Sequence, residues 1–188
     1  MKVNAITIRP GHVLEHEGKL WVVIKSEIMQ PGKGAAVVQV EMRDARTGTK
    51  VNVRFRTQES IERARLDERE YQFLFGEGDT FTFMDVESYE QVVVPQALIG
   101  DPAVFLKEGM IVTMHSHDGR PLTVALPQTV VMRIDQSDPV VRGQTAAASY
   151  KPAILENGVR VMVPPFIAAG ERIVVNTSDR TYVERAKT

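Results

Sequence analysis

Leu20-Trp21-Val22-Val23-Ile24, Gln30-Pro31-Gly32-Lys33-Gly34-Ala35-Ala36 and Val37-Val38-Gln39-Val40 decide how this chain folds. Two runs rich in β-branched and aromatic residues flank a stretch that Pro and two Gly mark as a turn. The segment therefore reads as a β-hairpin with residues 30–36 at its tip. A strand running from about Trp21 to Met29 holds that tip roughly 25–30 Å out, at about 3.3 Å per residue. Two glycines flank the one lysine, so nothing bulky stands beside the Lys33 stem.

The same signature recurs along the chain. Val51–Phe55, Thr80–Met84, Ile111–Met114, Val130–Ile134, Val159–Val163 and Ile173–Val175 are short and rich in β-branched or aromatic residues. Glu17-Gly18, Thr47-Gly48, Glu77-Gly78-Asp79, Asp118-Gly119 and Asn157-Gly158 supply the turns. Short strands spaced by roughly 8–12 residues predict an all-β protein built of barrels or sandwiches. One short helix is expected, capped by Asp101, with Pro102 in its first turn and Gly109 at its end.

The composition fits a soluble globular chain: 188 residues, 43% hydrophobic and 25% charged. That balance excludes wholesale disorder. With a net charge of −1, a uniformly basic nucleic-acid binder is excluded, but a locally basic one is not. The absence of cysteine removes disulfide scaffolds, zinc–thiolate sites and thiol nucleophiles together. Met1 to Pro10 has no secretory pattern, and no apolar run approaches the roughly 18–20 residues of a membrane helix. A cytoplasmic protein is expected, with no membrane partner.

Charge divides the chain into three blocks. Residues 1–64 carry 11 basic and 7 acidic side chains, residues 65–127 carry 4 and 11, and residues 128–188 carry 8 and 6. Alternating sign over blocks of this size points to three β modules, 1–64, 65–127 and 128–188, with a single barrel as the competing reading. An internal echo favours modules. Pro95 to Gly109-Met110-Ile111-Val112 resembles Pro164 to Gly170-Glu171-Arg172-Ile173-Val174.

No enzyme site emerges. His115 and His117 alternate on a strand and share a face. A metal would need a third ligand, and Asp118, the near candidate, occupies a turn position. The expectation is a solvated strand face, with no metal and no cofactor. Gly32-Lys33 is not a phosphate loop, because Glu27 stands where that motif needs Gly and Gly34 where it needs Ser or Thr.

At the hairpin tip the chain resembles bacterial elongation factor P. Ser26-Glu27 followed by Pro31-Gly32-Lys33-Gly34, with Thr47-Gly48 beyond, matches that family's first-domain loop. Asp138-Pro139, Lys151-Pro152-Ala153, Gly158, Val163-Pro164, Phe166, Gly170-Glu171, Asn176-Thr177 and Tyr182-Val183-Glu184-Arg185 follow its C-terminal signature. The resemblance implies an SH3-like (KOW-type) N-terminal barrel followed by two OB-fold barrels in an L-shaped, tRNA-like arrangement. It implies a monomer that binds the ribosome between the peptidyl and exit sites, beside the peptidyl-tRNA, and relieves stalling at consecutive prolines. It also implies that Lys33, supported by Pro31, Gly32 and Gly34, is the tip lysine on which a lysine-modifying enzyme acts.

On that reading Lys25, Arg43, Arg54 and Arg56 are candidate RNA phosphate contacts, which position without reading sequence. Gly143-Gln144-Thr145 stands where the family often has Gly-Asp-Thr beside the exit-site codon, and with Arg142 these are further candidate RNA contacts. Gln144 both donates and accepts hydrogen bonds, whereas an ionised Asp only accepts, so codon preference does not transfer. Three other readings compete. The elongation-factor-P-like paralogue typically has Arg at the tip, which Lys33 opposes. The hypusine-bearing factor of archaea and eukaryotes has two domains, which residues 128–188 oppose. A general RNA-binding OB-fold protein needs exposed aromatic platforms over a basic groove, and the 7 Phe, 4 Tyr and 1 Trp here lie largely at core positions.

Overall fold

The computed structural model describes residues 1–138 and 149–187, and within them every strand belongs to one of three separate antiparallel sheets. The first contains β1 (Lys2–Asn4), β2 (Val13–His16), β3 (Lys19–Met29), β4 (Val37–Asp44), β5 (Lys50–Arg56) and β6 (Ser60–Arg63). They pair in the order β1-β6-β2-β3-β4-β5 and wrap Leu14, Trp21, Val40, Met42 and Phe55 into a core. The second sheet contains β7 (Asp67–Glu77), β8 (Thr80–Asp85), β9 (Gln91–Pro95), β10 (Ile111–His117) and β11 (Arg120–Ala125). The third contains β12 (Thr129–Ser137), β13 (Lys151–Leu155), β14 (Arg160–Val163), β15 (Arg172–Asn176) and β16 (Tyr182–Arg185). The fold is all-β, a KOW-like unit followed by two curled OB-like half-barrels.

The two five-stranded sheets are copies of one plan. Their orders, β11-β10-β7-β8-β9 and β14-β13-β12-β15-β16, put the first strand of each at the centre. That central strand carries a bulge after Phe73 in one and after Ile134 in the other. Bulges bend a strand and let a sheet curl. The Gly109 N–H donates to the Phe73 carbonyl at 2.9 Å, and the Gly170 N–H donates to that of Ile134 at 2.8 Å. Both glycines hold a positive φ, 88° and 89°. The two Pro-to-Gly stretches that echo in the sequence are therefore the same connection, from third to fourth strand, in both sheets.

Turn chemistry explains the hairpins. Glu17-Gly18 and Asp118-Gly119 have positive φ at both positions, the geometry of two-residue turns whose twist matches the flanking strands. A longer turn occurs once per sheet. Asp44 Oδ1 accepts the N–H of Arg46 at 2.7 Å, Asp85 Oδ1 that of Glu87 at 2.8 Å, and Asn176 Oδ1 that of Ser178 at 3.0 Å. The expected helix is shorter than the sequence predicts. It is a single 3-10 turn over Asp101–Phe105, entered through Gly100 and not through a side-chain cap. Phe105 leaves its own sheet and is fully buried in the core of the third.

The first two units meet through a narrow neck. Val13 and Val22 bury themselves with Leu122 of β11, and Leu20, Ala45, Ala64 and Leu66 pack around them. Open clefts of about 810 Å³ and 730 Å³ flank this contact. His115 lines the first and His117 the second, so the pair lies half-buried at the neck and not on a solvated face. His115 Nε2 lies 3.1 Å from Glu68 Oε1, and its Nδ1 is buried without a partner.

Candidate functional site

The hairpin of β3 and β4 is paired out to Met29 opposite Val37, which leaves residues 30–36 as its tip. The Gly34 N–H donates to the Pro31 carbonyl at 2.7 Å and closes a tight turn around Gly32-Lys33. A Cβ at position 34 would lie 3.3 Å from that carbonyl oxygen, closer than it can comfortably sit, so glycine keeps the turn shut. Gly32 has φ +34°, and a Cβ there would meet nothing within 4 Å. Lys33 is exposed and has no hydrogen bond or ion pair among the described residues. Ile28 and Met29, 54% and 39% exposed, sheathe the arm just below the tip. The sequence signal for them was ambiguous, because an apolar strand end looks the same whether or not a core covers it.

Strand register gathers part of the expected basic set. Lys25 stands across from Glu41 and Asn52, Glu27 across from Gln39 and Arg54, and Met29 across from Val37 and Arg56. Lys25, Arg54 and Arg56 thus share one exposed face below the tip, interspersed with two glutamates. None of the three cations has a carboxylate within 4 Å among the described residues.

Arg43 corrects the sequence reading. It is not an exposed phosphate contact but is 7% exposed at the neck. Its Nη2 donates to the Leu122 carbonyl of the second sheet at 2.7 Å. Burial pushes this guanidinium below the usual arginine range. Alternation along β4 does put its side chain on the outer face, but at that end of the strand the second unit covers the face. Arg142, Gly143, Gln144 and Thr145 lie outside the described residues. Among the described residues no three His, Asp or Glu side chains gather as a metal site, and no helix is long and apolar enough to cross a membrane.

Three family descriptions match the chain in succession. "Elongation factor P (EF-P) KOW-like domain" matches residues 4–61, "Elongation factor P (EF-P) OB domain" residues 66–124, and "Elongation factor P, C-terminal" residues 130–185. A protein of Rhodospirillum centenum named Elongation factor P is 64% identical over 187 residues, covering 100% of both chains. One of that name from Brucella canis is 50% identical over 186 residues, 99% of this chain and 100% of that protein. A solved structure, the eukaryotic translation initiation factor 5A from Methanococcus jannaschii, overlaps 67% of this chain and 92% of that one, with TM-score 0.43 and 23% identity.

Proposed function

The chain belongs to the bacterial elongation factor P family and is a translation elongation factor, and from that premise we propose that it aligns the acceptor end of the peptidyl-tRNA with Lys33. It binds the ribosome between the peptidyl and exit sites as a monomer of three domains, 1–64, 65–127 and 128–188, in the cytoplasm. It stimulates peptide-bond formation where consecutive prolines stall it.

The chemistry missing at such a stall is alignment. Proline fixes its own φ and carries a hindered nitrogen. A proline-rich nascent end therefore holds the ester carbon out of line with the incoming amine. Correct placement of reacting groups is worth several kcal/mol of barrier. The ribosome already owns the catalytic centre, so the factor itself is not an enzyme. A slim cation reaching the sugar-phosphate backbone of the acceptor end supplies what is absent. Pro31, Gly32 and Gly34 shape the turn, and Lys25, Arg54 and Arg56 contact phosphate behind it. A partner enzyme that lengthens the Lys33 side chain would extend its reach, which intact-mass measurement of the native protein detects.

The observation that carries this reading is the exposed Lys33 at the centre of a glycine-flanked tip, without a hydrogen bond or ion pair among the described residues. The test is translation of a messenger encoding three consecutive prolines. Lys33→Ala should lose rescue while melting like the parent, since surface substitutions usually change stability by no more than about 0.5 kcal/mol. Full rescue by the folded variant would return the loop to an ordinary hairpin turn.

A further inference from the structure

We infer that Arg43 is a positioning residue that fixes the angle between the tip-bearing barrel and the middle barrel, an inference that rests on the alignment role of Lys33. Two complementary oddities meet at the neck. Arg43 is a buried cation with no carboxylate within 4 Å among the described residues. Leu122 is a bulge residue: His115 pairs with Thr123 and Ser116 with Pro121, so the β10–β11 register skips it. A bulge leaves the extra residue unpaired, and the Arg43 guanidinium takes up its carbonyl at 2.7 Å.

The rest of the neck gives little directional restraint. Its apolar cluster is small, and hydrophobic contact is non-directional. Clefts open on both sides of it and leave room for a swing. The one other polar tie among the described residues, from Arg120 Nη2 to the Ala45 carbonyl, is long at 3.4 Å and solvent-exposed. A charge-assisted bond in a buried site is shorter and stronger than a neutral one.

Arg43 is also placed to matter at the tip. Strand β4 runs from Val37, at the base of the tip, to Arg43 with no register break against β5. That is an arm of about 20 Å, with Lys33 beyond its far end, and its one bulge against β3, between Val23 and Lys25, lies at the neck end. A rotation of about 5° at the neck moves the end of such an arm by about 2 Å, and a misplacement of about 1 Å can cost a reaction about 10²-fold.

The test uses the chain's lack of cysteine. Spin labels on Asn52→Cys and Val93→Cys, both exposed, report the distance between the first two barrels by pulsed electron resonance. Arg43→Met keeps an unbranched stem and removes the donors. Its distance distribution should broaden about twofold, and polyproline rescue should drop about tenfold, with ribosome affinity within about twofold of the parent. Arg43→Lys, with one charged donor, should recover part of both. A parental distance width in folded Arg43→Met, or a broadened one with full rescue, overturns the inference. If Arg43→Met does not fold, Arg43→Gln, shorter and uncharged, decides, and parental width there overturns it. The distances are read without ribosome or Lys33, so a failure of the alignment reading, seen as full rescue by Lys33→Ala, stays separate.

Discussion

Lys33 carries its charge on a slim four-carbon stem, and the tip around it leaves that stem clear on both sides. Arginine at the same place would keep the charge but broaden the head into a planar fork, and it removes the amine that a lysine-specific modification needs. Lys33→Arg is therefore expected to rescue nearly as poorly as Lys33→Ala while binding ribosomes within about twofold of the parent, because the proposed phosphate contacts of Lys25, Arg54 and Arg56 behind the tip are untouched. Translation through three prolines and equilibrium ribosome binding on the same preparations check this, and parental rescue by the arginine variant would show that charge alone suffices. The lysine was legible because Pro and Gly fix a turn locally. Arg43 was not, because strand alternation reports a face of the sheet and is blind to another barrel lying across it. Its neighbour Asp44 is likewise buried, at 4% exposure.

The three hairpins built on Asp44, Asp85 and Asn176 share one geometry and differ in chemistry. Each side-chain oxygen accepts the backbone N–H two residues on. The Arg46 N–H, with Thr47 and Lys19 adding to it, holds the Asp44 carboxyl below the ordinary range, against the opposing effect of burial. The Glu87 N–H does the same for Asp85, with help from Ser88 and from Arg69 at 3.1 Å. Carboxyls depressed in the folded state add stability that is fully present above their unfolded value, about 3.9, and is lost as pH falls through the lower folded value. Asn176 fills the same role and does not titrate. Melting temperature should therefore fall less between pH 5 and pH 2 in Asp44→Asn with Asp85→Asn than in the parent, and an equal fall would remove these two carboxyls from the acid response. At this scale eight strands announced themselves by β-branched runs. Strand β7 did not, because its first four residues, Asp67-Glu68-Arg69-Glu70, are all charged and exposed, and a strand start of that kind reads as a loop until its partner β10 is in place. Pro152 hid β13 in the same way.

Across the whole molecule the charge is divided, not dispersed. The first block carries a net +4, the second −7 and the third +2. The Debye length at physiological salt is about 8 Å, less than the span of one barrel, so each block presents its own field to a partner and the overall −1 governs little. That partition was visible in the sequence because barrels of about 60 residues keep their surface charges together. What it concealed was the neck, where a cation of the positive block is spent on a carbonyl of the negative one. A ribosome-bound orientation with the first block toward phosphate has a measurable consequence. Each lysine or arginine that neutralises a phosphate releases counterions, and its loss lowers the slope of log affinity against log salt by about one. Arg54→Ala with Arg56→Ala should flatten that slope by about two and weaken binding at low salt most. Arg43→Met, though it removes a charge from the same block, should leave the slope unchanged, because its guanidinium is already turned inward. Glu77→Gln with Asp79→Asn, on the exposed β7–β8 turn, should alter affinity less than about twofold if the acidic block only spaces the others. Were that block pressed against phosphate instead, removing two of its charges would tighten binding several-fold and steepen the salt dependence, and the middle barrel would count as an RNA-facing surface.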